Sequence, residues 1–106
     1  MALEKIRYSP LQLALLTLLI RANAPISLSS IEVQIYINSG KRRPKRSKQS
    51  AAALIRSTSN KISKYGAFIE RNTPIGRGHV ASYELKGKIN FIKKTVEETI
   101  DSFSLK

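Results

Sequence analysis

The stretch that most constrains this chain is residues 47–65, SKQSAAALIRSTSNKISKY. Wound as a helix at about 100° per residue, it places Ala51, Leu54, Ile55, Thr58, Ile62 and Tyr65 on one side and Gln49, Ala53, Arg56, Ser57, Asn60 and Lys64 on the other. The first side needs a core to pack against. The second combines small residues, which allow close approach of another surface, with amide, hydroxyl and cationic donors. Residues 41–64 hold nine Lys or Arg and no Asp or Glu. A solvated helix face normally mixes both signs of charge, so this pattern predicts a helix that packs on one side and meets a polyanion on the other.

A chain of 106 residues with 42% hydrophobic content can bury one core, and a formal net charge of +12 makes a polyanion its default partner. Nucleic acid is favoured over a membrane surface, because the cations cluster in one loop and helix and do not line a helix with bulky apolar residues opposite. The absence of cysteine removes disulfides, thiolate catalysis and cysteine-ligated zinc, and fits a reducing, cytoplasmic compartment. Lys5 and Arg7 before the apolar run at residues 11–20 imitate a signal peptide. Gln12 within the run, Arg21 near the would-be cleavage site and Pro25 after it argue against secretion. The interval from Arg7 to Arg21 falls short of the ~20 apolar residues that span a bilayer.

Ser9 followed by Pro10 predicts a helix start, and the first helix runs to about Ala22. It carries two apolar stripes, Leu11, Leu15, Leu18 and Ala22 on one side and Leu13, Leu16 and Ile20 on another, so a neighbour is expected on each. Residues 23–27 read as a tight connection. Ser29 and Glu32 have capping-box spacing, with Leu28 and Val33 as a staple, which predicts a second helix over residues 30–38. The alternation of Ile31, Val33, Ile35 and Ile37 would equally suit a strand. Gly40 ends this element and residues 40–46, GKRRPKR, form a basic loop. The central helix follows, capped by Ser47 or Ser50. After Gly66, Phe68 and Ile69 open one strand and residues 80–85 form another, joined by a Pro- and Gly-containing tip into a hairpin. From Gly87 a last amphipathic helix sets Ile89, Ile92, Val96, Ile100 and Phe103 opposite Lys94, Glu97, Glu98 and Asp101.

Helix, helix, basic helix and hairpin is the order of a winged helix-turn-helix domain, and the resemblance covers roughly residues 9–85. Residues 53–64, ALIRSTSNKISK, then Gly66, Phe68, Ile69 and GRGHVASYEL at 76–85, resemble the recognition helix and wing of response-regulator effector domains. The same residues are similar, less closely, to linker-histone globular domains. The expected fold is therefore α+β: a winged helix-turn-helix of three helices and a hairpin wing over residues 1–86, with an additional C-terminal helix over residues 87–106. The resemblance implies a central helix in the major groove and a wing at the backbone or minor groove. Arg56 and Asn60 are the candidates for base edges, since Arg matches guanine and Asn adenine through paired hydrogen bonds. Gln49, Ser57 and Lys64 flank them. Lys41, Arg42, Arg43, Lys45, Arg46 and Lys48 are expected to meet phosphates, although a basic run equally suits a nuclear-localisation signal or a disordered tether, and Arg71, Arg77 and His79 are expected to serve the wing.

Catalysis finds no constellation to support it. His79 is the sole histidine, and Glu97, Glu98 and Asp101 better explain a soluble helix face than a metal site. Gly76 and Gly78 lack the context of a nucleotide loop. No enzyme activity, cofactor, metal or small-molecule ligand is expected. The expected function is that of a sequence-specific regulator occupying promoter or operator DNA, and the alternative is an architectural or ribonucleoprotein component with little sequence preference. Leu13, Leu16, Ile20, Ile92, Val96, Ile100 and Phe103 are expected to build a homodimer interface from the first and last helices, the alternative being that the C-terminal helix folds back so that the two surfaces cover each other within one chain.

Overall fold

The computed structural model describes residues 7–22, 24–72 and 81–104, with side chains described to residue 101. Its elements run α1 (Pro10–Arg21), β1 (Ile26–Ser27), α2 (Leu28–Ser39), α3 (Ser47–Ser63), β2 (Ala67–Asn72), β3 (Ser82–Gly87) and α4 (Ile89–Ser104). The chain is an α+β fold of four helices and a small antiparallel sheet in the order β1-β3-β2 among the described residues.

The start of α1 is set by local chemistry. Ser9 Oγ accepts from the Gln12 amide at 3.1 Å while Gln12 Oε1 accepts from the Ser9 amide at 3.0 Å, and Pro10 occupies the position where no donor is missed. The second helix starts differently from the reading of Ser29 and Glu32. Its cap is Ser27, whose hydroxyl accepts from the Ser30 amide at 3.2 Å, so Ser29 and Glu32 form no capping box. The cause is β1. Ile26 and Ser27 pair with Tyr83 and Ser82, and the Leu28 amide donates to the Ala81 carbonyl at 2.9 Å, so the chain is already extended at Ser27 and turns into helix directly after it. The strand alternative for α2 fails because burial follows helical spacing: Ile31, Glu32, Ile35 and Tyr36 are buried and Ile37 is 66% exposed. Neither Ser47 nor Ser50 caps α3, whose N-cap is Arg46 without a side-chain bond.

Leu15, Leu16, Ile31, Ile35, Ile62 and Ile92 are fully enclosed, each contributing about 1.5–3 kcal/mol by removal from water. From α4, Ile92 and Val96 belong to this same core, and Tyr65 stacks on Phe91 with ring centroids 5.2 Å apart. Tyr8 adds a bond to Thr95 at 2.7 Å. This packing overturns part of the expected dimer surface. Leu16 (0% exposed), Ile92 (0%) and Val96 (2%) are covered within one chain, because α4 folds back onto α1, and they cannot meet a second copy while it is docked. Leu13, Ile20 and Ile100 are half-buried; the Phe103 side chain lies outside the described residues.

Residues 67–72 pair with 82–87 in the hairpin, so the second strand runs two residues beyond the expected end at Leu85, while Val80 lies outside the described residues. Gly87 closes it at φ +88°, where a β-carbon would stand 2.4 Å from the Gly66 carbonyl oxygen. Only glycine suits both demands.

Candidate nucleic-acid interface

Seventeen residues make α3 roughly 25 Å long, and its buried side is the one expected. Ala51, Ile55, Thr58 and Ile62 are buried and Leu54 and Tyr65 half-buried. Two polar contacts fix the helix further. Ser59 Oγ accepts from the Ile69 amide at 3.0 Å, joining α3 to β2, and Lys61 donates to the Arg7 carbonyl and to Gln12 Oε1, the latter at 2.9 Å. Lys61 is thereby committed to the fold and withdrawn from the basic surface.

The outward side of α3 carries Gln49, Ala53, Arg56, Ser57, Asn60 and, just past its end, Lys64, all exposed. Ser57 donates to the Leu54 carbonyl at 3.0 Å, which leaves its oxygen free to act as an acceptor. This crest stands between two open grooves. On the sheet side, a groove of about 380 Å³ is bordered by Ala52, Arg56, Ser59, Asn60, Arg71 and Tyr83. On the other flank, a groove of about 630 Å³ has Leu11, Tyr36, Pro44 and Leu54 as its apolar lining and Lys41 and Arg42 beside them. Neither is lined by a carboxylate among the described residues.

Arg71 therefore belongs with Arg56 and Asn60 in one groove, nearer α3 than a wing assignment suggests. The strand register explains this: Arg71 shares the inward face of β2 with Ala67 and Ile69, while Phe68 and Glu70 point to the opposite face. Arg77 and His79, the other wing candidates, lie outside the described residues.

Lys41, Arg42, Arg43, Lys45, Arg46 and Lys48 are all exposed. Arg43 differs from the rest. Its Nε donates to Ser47 Oγ at 3.1 Å, Ser47 Oγ donates to Glu32 Oε2 at 2.6 Å, and Arg43 Nη2 lies 3.8 Å from Glu32 Oε1. Sequence reasoning missed this cluster because Glu32 and Ser47, 15 residues apart, each had a more local explanation as capping residues.

The other described carboxylates are placed elsewhere. Glu70 and Glu84 sit with Lys86 on the outer face of the hairpin, at 3.8 and 3.2 Å, and Glu97, Glu98 and Asp101 are exposed on α4. No group of three or more His, Asp or Glu that could hold a metal ion occurs among the described residues. No described helix is long and apolar enough to cross a membrane. No family model, curated protein or solved structure matches the chain.

Proposed function

We propose that this chain is a winged helix-turn-helix protein that binds duplex DNA with sequence preference and regulates transcription by occupying a promoter or operator. The observation that carries the reading is the crest of α3: exposed amide, hydroxyl and guanidinium groups between two grooves that carry cations and no carboxylate. A helix entering a major groove has a phosphate backbone on each side, and cations on both flanks of its reading face answer that geometry. Lys41 and Arg42 serve one backbone and Arg71 the other, while Arg56 and Asn60 reach base edges. The order of elements supports the winged-helix assignment, with β1 adding a third strand to the hairpin that follows α3. Duplex RNA suits this crest less well, because its deep, narrow major groove does not admit side chains on a helix.

A homodimer is part of the proposal, built on the half-buried Leu13, Ile20 and Ile100, which border two adjoining depressions beside α1. Sedimentation at micromolar concentration checks it, and a monomer there removes the dimer without touching the DNA reading. The reading itself is tested by titrating the protein against duplex DNA, single-stranded DNA and structured RNA from low to moderate salt. Duplex DNA should bind best, with log affinity falling linearly in log salt as several phosphates are neutralised. Preference for RNA would favour the ribonucleoprotein alternative.

A further inference from the structure

The first turn of α3 is held by a side chain from another helix. No side chain caps it, and its first backbone bond runs from the Ser50 amide to the Arg46 carbonyl at 3.0 Å. Ser47, 4% exposed, instead donates to the carboxylate of Glu32, 7% exposed, in the short bond described above. Glu32 is the only Asp or Glu between residues 5 and 69. A buried carboxylate without a cation is costly, and Arg43, whose side chain is 53% exposed, turns back to supply one. Lys41, Arg42, Lys45, Arg46 and Lys48 have no carboxylate within salt-bridge distance among the described residues.

We propose, resting on the DNA reading above, that Glu32 is a positioning residue: its buried carboxylate fixes the start of the reading helix through Ser47 and holds Arg43 apart from the phosphate-binding cations beside it. The two halves of this role act on binding with opposite sign. Removing the charge of Glu32 releases Arg43 to a phosphate and strengthens sequence-independent attraction. It also loosens the first turn of α3, and with it the placement of Gln49 and the groups that follow. A carboxylate that served stability alone would change neither once the protein is folded.

The test uses the full chain and a duplex of about 20 base pairs carrying the sequence enriched by selection, beside its scrambled counterpart. In the parent, Arg43→Ala should leave the salt dependence unchanged, whereas Arg42→Ala and Lys45→Ala should each flatten the log–log slope by about 0.9. Glu32→Gln should steepen it by a similar amount, make it sensitive to Arg43→Ala, and reduce the ratio of preferred to scrambled affinity about tenfold. Ser47→Ala should reduce the ratio alone. Arg43→Ala flattening the slope like its neighbours, or Glu32→Gln leaving slope and ratio unchanged, would overturn the proposal. Arg43 lies on the surface, so its arm stands even where Glu32→Gln does not fold. Should no duplex bind, the DNA reading fails, and the positioning role is judged by amide exchange in the first turn of α3. At least roughly tenfold faster exchange in Ser47→Ala supports it, as expected for loss of a hydrogen bond to a charged group, and unchanged exchange overturns it.

Discussion

Arg56 and Asn60 stand one turn apart on the crest of α3, and replacing either with alanine should cost about 1–3 kcal/mol on a preferred duplex and flatten its sequence preference. Lys45→Ala should weaken every duplex alike. Titration of the three variants against preferred and scrambled duplexes separates the two behaviours, and uniform losses throughout would end the assignment of base reading to α3. Thr58 makes a different point. Its hydroxyl is buried without a hydrogen-bond partner among the described residues, so Thr58→Val, of nearly the same shape, should raise stability by about 1 kcal/mol in urea unfolding. Tyr8 carries a pH dependence. Burial pushes its phenol above the ordinary value of 10.0, against the bond with Thr95, so the folded protein holds the proton that the unfolded chain releases. Stability from this group is complete below pH 10 and falls as pH rises from there through the folded value. Melting temperatures measured on either side of that value should show the fall, and Tyr8→Phe should reduce it. The sequence disclosed the two faces of α3 because helical period alone decides them. It could not disclose Glu32 with Ser47 and Arg43, since that contact exists only once α2 and α3 pack.

At the scale of elements, the legible features were those with local causes. Ser9, Gln12 and Pro10 fix the start of α1 through neighbouring groups, and helical spacing sets the inner face of α4. β1 was illegible for the opposite reason: two residues after Pro25 make a strand only because β3 offers them an edge, and that edge also moves the start of α2. The stripes of α1 and α4 were read correctly as needing cover, while the identity of the cover was decided by a tertiary fold-back. Two substitutions test this architecture. Val96→Asp should destabilise the protein by at least about 3 kcal/mol, since it buries a charge in the shared core, and circular dichroism should report unfolding instead of a folded monomer. Gly87→Ala should cost more than about 2 kcal/mol in chemical denaturation, because both its φ and the Gly66 carbonyl forbid a side chain. A loss below a few tenths would mean that the hairpin end is not closed as described.

Across the whole molecule, the formal charge of +12 is not spread evenly. Apart from Arg43, which pairs with the buried Glu32, the basic loop and α3 present cations without carboxylates, whereas Glu70 and Glu84 are matched with Lys86 on the outer hairpin face and Glu97, Glu98 and Asp101 lie on α4. On the proposed DNA reading, this asymmetry would orient an approaching duplex toward α3 before any base is read, and the association rate should drop with salt. Specificity then depends on what the crest of α3 adds to that attraction. The most direct measurement is selection of duplexes from a random pool by the unmodified protein at near-physiological salt. Base reading by α3 predicts an enriched motif bound on the order of a thousandfold more tightly than its scrambled version, with the enrichment lost at defined positions in Arg56→Ala and Asn60→Ala. Tight binding to the pool with no enriched motif would contradict it, leaving a basic surface that holds nucleic acid without reading it.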